Sequence, residues 1–251
     1  MDIIAIVNQK GGIGKSTTAG AIAEALTRKK KKVLVIDADP QGNLSYVMNA
    51  ETEPCTYQIM MKQITAAEAI QTKNKPHIIA ACPELAGADK NITGARAEYR
   101  LKEALSEISK QYEYCIIDTP PALGILTINA LIAAHRVIIP AHADIFSLQG
   151  ISYLQETIKA VKTVNPELII DGIVLTRYNA RIILGKDIKA VMQEAATAMK
   201  TKLYTTTIRE NVQIREAQTL RKGLFEYAPN SNGAKDYLAL TNEILKKDKA
   251  K

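Results

Sequence analysis

Lys10, Gly11, Gly12, Ile13, Gly14, Lys15, Ser16 and Thr17 follow one another without a break near the start of the chain. Glycines in such a run let backbone N–H groups converge on one anion. A helix opening at Lys15 adds the positive end of its dipole. Lys15 is then placed to reach the β- and γ-phosphates of a nucleotide, and the Ser16 hydroxyl to ligate Mg²⁺. Gly11, Gly12, Ile13, Gly14 and Thr17 supply the rest of a phosphate cradle. An isolated glycine pair would be an ordinary turn; eight matching residues between a strand and a helix are more than that. The usual P-loop has glycine where Gln9 stands, and the extra Lys10 beside it is a specific departure.

Three carboxylates extend the inventory. Asp37 and Asp39 fall in D-A-D-P-Q-G-N (37–43) after the apolar run Val33–Ile36, and Asp118 follows the apolar run 114–117 and precedes Thr119-Pro120-Pro121. A carboxylate at the C-terminal edge of a buried strand lies where α/β sheets bind ligands. Beside a triphosphate loop, Asp118 is placed to enter the Mg²⁺ shell. Asp and Pro also serve plain turns, so the weight comes from coupling all three to the loop at 10–17.

The elements that must position these groups follow from pattern. Ile3–Val7 is a continuous apolar run rich in β-branched side chains, as expected of a strand buried on both faces. Thr18–Arg28 has helical spacing, and the cations at 28–32 suit a helix C-terminus better than a nucleic-acid patch. Further strands are expected at 33–36, 77–81, 114–117, 137–140 and 168–176. Helices are expected at 96–111 (Leu101, Ala104, Leu105 and Ile108 on one face), at 147–164, and near the C-terminus with Tyr237, Leu238, Leu240, Ile244 and Leu245 inward. Residues 44–76 predict two short helices. His77 is expected at a strand edge, and His142 carries no assigned role. The fold class is α/β: a doubly wound, mostly parallel sheet with helices on both faces.

Composition narrows the classes. A chain of 251 residues, 47% hydrophobic and without Trp, suits one α/β domain (1–251) with an aliphatic core. The absence of an apolar run long enough to span a bilayer, and of a leader pattern, predicts a cytoplasmic protein. Cys55, Cys82 and Cys115 are far apart, which predicts reduced buried thiols and argues against a shared iron–sulfur cluster. The net charge of +7 matters only if the basic residues share a face.

The loop K-G-G-x-G-K-S-T resembles the deviant Walker A of the ParA/MinD group of ATPases. D-x-D-P-Q-G-N is similar to that family's switch I, D-T-P-P (118–121) to its switch II, and S-L-Q-G-I-S-Y-L (147–154) continues the likeness. The resemblance implies that Asp39 orients the attacking water, that Asp37 helps hold hydrated Mg²⁺, and that Lys10 crosses a dimer interface to the partner's nucleotide. It places Asn179 near the adenine, although capping the next turn explains Asn179 equally well. No N-K-x-D string is present, which favours ATP over GTP.

Function divides at the C-terminal part. T-T-I-R-E-N-V-Q-I-R-E-A (206–217) is similar to the segment before the last helices of partition ATPases, except that Arg209 stands where proline is common and Glu210 where arginine is common. Arg209, Arg215, Arg221, Lys222, Lys235, Lys246 and Lys247 could bind DNA phosphates or simply form a solvated basic face. The tail 246–251 has nothing apolar larger than alanine, so no membrane-targeting helix is expected. The chain opens on a strand, so no preceding helix-turn-helix is expected either. The resemblance implies an ATP-dependent homodimer that binds DNA nonspecifically, associates with the nucleoid and answers to a ParB-type partner. A positioning ATPase for a protein cluster or division component is the alternative.

Overall fold

The structure, a computed structural model, describes residues 1–73, 75–179 and 183–248, with side chains described throughout except at 183–187, 247 and 248. Six strands form one sheet: β1 (Asp2–Ile6), β2 (Val33–Asp37), β3 (His77–Ile79), β4 (Tyr114–Asp118), β5 (Arg136–Ala141) and β6 (Ile169–Leu175). Their order is β3-β2-β4-β1-β5-β6. Every pair is parallel, so the sheet is wholly rather than mostly parallel.

Strict alternation sends side chains to two cores. Ile3, Ala5, Leu34, Ile36, Cys115, Ile117, Val137 and Ile139 face one side. Ile4, Ile6, Val33, Val35, Tyr114, Ile116 and Ile138 face the other. A strand that must satisfy both cores has no polar face, which is why these strands are near-continuous apolar runs.

Helices cover both faces. In chain order they are α1 (Lys15–Arg28), α2 (Asn43–Val47), α3 (Thr56–Met60), α4 (Ala66–Ala69), α5 (Ala88–Asn91), α6 (Arg100–Glu107), α7 (Ile125–Ala133), α8 (Ile145–Lys162), α9 (Ile183–Ala198), α10 (Val212–Thr219), α11 (Leu224–Tyr227) and α12 (Asn232–Asp248). α1, α11 and α12 bury Ile22, Leu26, Phe225, Tyr237 and Leu240 against one face. α6 to α9 bury Leu105, Leu131, Leu154 and Met192 against the other.

Several expectations need correction. Residues 44–76 hold three short helices after Asn43, not two. The long helix expected at 96–111 is confined to 100–107: Arg96 takes a left-handed φ of 61°, and a 3₁₀ turn at 97–99 precedes the helix. Leu238 is 36% exposed, whereas Tyr237, Leu240 and Ile244 are buried as expected. Cys55 and Cys82 are joined as a disulfide, with Cα atoms 6.0 Å apart, and only Cys115 is a free buried thiol. The reason is topological. Cys55 bridges Ala80 in parallel at the end of β3, which brings Cys82 alongside it despite a sequence separation of 27. His77 does open the edge strand, where its Nδ1 lies 2.8 Å from the Tyr112 hydroxyl.

Candidate nucleotide site

β1 lies centrally, between β4 and β5, and delivers the loop at 9–14 to the C-terminal edge of the sheet. Side chains from neighbouring strands and loops hold the loop. Asn8 Nδ2 donates to the Pro140 carbonyl (2.7 Å) and Asn8 Oδ1 accepts the Lys10 N–H (3.0 Å). Thr176 Oγ1 donates to the Ile13 carbonyl (2.8 Å). Gly12 and Gly14 have φ of 72° and 88°, a region that L side chains rarely adopt, and Gly14 is the N-cap of α1. A Cβ on Gly11, Gly12 or Gly14 would meet no atom within 4 Å, so the cradle opens onto free space. That space is a cavity of about 1000 Å³, lined among others by Gly11, Lys15, Ser16, Thr17 and Asp39. Its size is at the upper end for a small-molecule site.

Lys15 is buried, and its Nζ donates to the Lys10 carbonyl at 3.1 Å. Burial lowers its pKa, opposed by Asp118 and Asp39, which favour the ammonium. Asp37 and Asp118 are register partners, the last residues of adjacent strands β2 and β4. They differ in occupation. Asp37 Oδ2 accepts the Ser45 N–H (2.8 Å) and hydroxyl (2.7 Å), and Oδ1 accepts the Asp39 N–H (3.1 Å). Both oxygens of Asp118 are buried without a hydrogen-bond partner, although the Ser16 hydroxyl lies near enough to favour its ionised form. Burial pushes Asp37 up to about 6 against those hydrogen bonds. Burial also holds Asp118 well above the usual carboxylate range, and the like charge of Asp37 adds to the shift.

An orphaned, buried carboxylate beside a lysine, a serine and an open glycine cradle is suited to a divalent cation. Among the described residues no group of three or more His, Cys, Asp or Glu could enclose a metal. That suits Mg²⁺, which is held by one or two carboxylates together with phosphate oxygens and water. Asp39, also buried, accepts the Gln41 N–H (3.0 Å) and lines the cavity.

Lys10 is placed differently. Its Nζ pairs with Asp144 Oδ2 at 2.7 Å, with both side chains about a third exposed, and lies 5.7 Å from the centre of the Phe146 ring. Asn179 is exposed and lies outside the cavity lining. The basic residues diverge. Arg209 is bound by Asp236 through Nε (2.9 Å) and a terminal nitrogen (2.6 Å). Arg221 lies over the Tyr46 ring at 4.4 Å. Arg215, Lys222, Lys235 and Lys246 are exposed, and the side chain of Lys247 is outside the described residues.

Four contributors escaped the sequence reading: Asp144, Ser45, Glu24 and Gln218. Asp144 had a legible signal, being an N-cap three residues before Ser147, whose N–H it accepts at 2.8 Å. The others act across 8 to 202 residues of sequence, and nothing local marks them.

A wholly parallel, doubly wound sheet with a glycine cradle and a strand-end carboxylate pair defines a P-loop nucleotide-binding domain. Residues 1–170 match the family described as AAA domain. The chain is 39% identical over 249 residues to the sporulation initiation inhibitor protein Soj of Bacillus subtilis (96% of this chain, 97% of that protein). It is 34% identical to the chromosome partitioning protein ParA of Myxococcus xanthus (99% and 89%). In structure it is similar to cobyrinic acid a,c-diamide synthase of Mycobacterium smegmatis with bound ATP analogue and magnesium (TM-score 0.85, 28% identity, 99% and 96% covered). The chain belongs to the ParA/Soj-type partition ATPases of the deviant Walker A family, and so is an ATP hydrolase. Among its described residues no helix is long and apolar enough to cross a membrane.

Proposed function

We propose that the protein is a DNA-partition ATPase: with ATP and Mg²⁺ it closes into a two-fold dimer and binds DNA without sequence preference. Hydrolysis, stimulated by a ParB-type partner, returns it to the monomer. The observation that carries the chemistry is Asp118, fully buried, without a hydrogen-bond partner, and close enough to Lys15 and Ser16 to feel both. Lys15 and the loop amides hold the β- and γ-phosphates. Ser16 and Asp118 would hold Mg²⁺, with Asp37 at the edge of its hydration shell; when bound, the ion neutralises charge on the transferred phosphoryl group. Asp39 orients the attacking water.

Lys10 would complete the partner's site. A surface ion pair with both side chains about a third exposed is the only salt bridge it makes among the described residues, and such pairs exchange at little cost. Ile145 and Phe146, 66% and 68% exposed at the start of α8 beside it, offer apolar surface for a self-complementary contact. Arg215, Lys235 and Lys246 are the exposed cations offered to DNA, with Lys222 in a long, exposed pair with Glu226 (3.9 Å), whereas Arg209 is tightly bound by Asp236.

Two measurements test this. DNA affinity with ATP at two salt concentrations should fall with salt, and Arg215→Ala should reduce the slope by about 1 while Arg209→Ala leaves it unchanged. Affinity indifferent to both salt and nucleotide contradicts the DNA reading. Asp39→Ala should lower turnover by about 10²- to 10⁴-fold with nucleotide binding retained; wild-type turnover in that variant removes Asp39 from the mechanism.

A further inference from the structure

Gln218 lies on α10, and its side-chain amide reaches the phosphate loop across 201 residues of sequence: Nε2 donates to Thr17 Oγ1 at 2.8 Å. Both residues line the cavity. A threonine hydroxyl has one proton to donate and two sites that accept. The Gln218 amide occupies an accepting site, so the Thr17 proton remains available to an acceptor in the cradle, and a phosphate oxygen is the acceptor that the loop admits. Donation into a hydroxyl also strengthens the bond which that hydroxyl donates onward.

The turn just past this same end of α10 is fastened to the other half of the site. Arg221, at a left-handed φ of 51°, donates from Nε to the Tyr46 carbonyl (3.0 Å), and Asn49 Nδ2 donates to the Arg221 carbonyl (2.8 Å). Tyr46 lies in α2 next to Ser45, which holds Asp37. The C-terminal end of α10 is therefore tied both to the phosphate loop and to the segment after the acidic residues, and Arg215 stands exposed on the helix.

We propose that Gln218 is a positioning residue for the nucleotide: it orients the Thr17 hydroxyl toward the phosphates and transmits their presence to α10. This rests on the nucleotide-binding reading above, and the experiment separates the two. Affinity for a fluorescent ATP analogue is measured on the full chain with Mg²⁺, together with KM and kcat for ATP. Gln218→Met, which keeps the bulk and removes the donor, is expected to weaken binding and raise KM by about 3- to 10-fold, with kcat within about twofold. Gln218→Glu can only accept from Thr17, so it is expected to weaken binding further. In a Thr17→Ala background Gln218→Met is expected to add nothing, because its route to the nucleotide is gone. Nucleotide should slow tryptic cleavage after Arg215 in the wild type and not in Gln218→Met.

Wild-type affinity in Gln218→Met, tighter binding by Gln218→Glu than by Gln218→Met, or an undiminished effect without the Thr17 hydroxyl each overturns the relay. A wild type that binds no nucleotide overturns the site itself.

Discussion

One carboxylate, that of Asp144, both latches Lys10 and starts α8: Oδ2 takes the Lys10 ammonium at 2.7 Å while Oδ1 accepts the Ser147 N–H at 2.8 Å. The lysine assigned to a partner's nucleotide is therefore held, in the single chain, by its own subunit. Asp144→Asn separates the two duties, because asparagine still caps a helix but carries no charge. An exposed pair of this kind is worth about 0.2–1 kcal/mol. Two such pairs break in each two-fold dimer, so the ATP-dependent dimer of Asp144→Asn is expected to form about 2- to 30-fold more tightly by sedimentation equilibrium. A weaker dimer would mean that Asp144 serves the dimer rather than the monomer.

The Cys55–Cys82 disulfide sits behind the acidic segment. Thr56, next to Cys55, donates its hydroxyl to the Asp37 carbonyl (2.9 Å), and the N–H of Ala81, next to Cys82, donates to Ser45 Oγ (2.9 Å). Closing a loop between cysteines separated by 27 in sequence stabilises by about 3–4 kcal/mol on chain-entropy grounds. Cys82→Ser is expected to lower the thermal midpoint by several degrees under non-reducing conditions. With a thiol reductant present the two proteins should converge. An unchanged midpoint would show that the bond contributes nothing to stability.

Glu24 gives the fold a pH dependence away from the phosphates. It is half-buried under Gly223, where any Cβ would lie 2.6 Å from its Oε1, and it accepts the N–H groups of Phe225 (3.1 Å) and Glu226 (3.2 Å). Burial raises its pKa above the ordinary 4.5, outweighing those bonds and Arg28. A carboxyl with a raised folded pKa binds its proton more tightly when folded. Its contribution is complete below about pH 4.5 and is lost as pH rises through the folded value. Glu24→Gln, which keeps an accepting oxygen, should therefore gain in thermal midpoint over the wild type as pH is raised from 4 to 8. A constant difference across that range would exclude Glu24 as the source.

The strands and the cradle were legible because their constraints are local. Val33–Asp37 and Tyr114–Asp118 must be apolar on both faces, and Gly12 and Gly14 must take positive φ, so both leave a mark in consecutive residues. α7 and α9 were not read. α7 is apolar nearly all round, with six of its residues from Leu126 to Ala133 buried besides Asn129, so it shows no amphipathic stripe. Ser45, Gln218 and the Cys55–Cys82 bond depend on which loops the sheet order brings together, and that order is a property of the whole chain. The basic residues taught the same lesson from the other side: Arg209 and Arg215 look alike in sequence, and only the fold gives one of them Asp236.

The proposed cycle turns on two chains closing over ATP with Lys10 crossing between them. The direct measurement is sedimentation of the Asp39→Ala protein with ATP and Mg²⁺, alone and combined with Lys10→Ala. Asp39→Ala should run at twice the 27.5 kDa chain with ATP and at the chain's own mass with ADP. Adding Lys10→Ala should return the ATP form to the monomer with nucleotide still bound. A monomer throughout, or a dimer that ignores both ATP and Lys10, would contradict it.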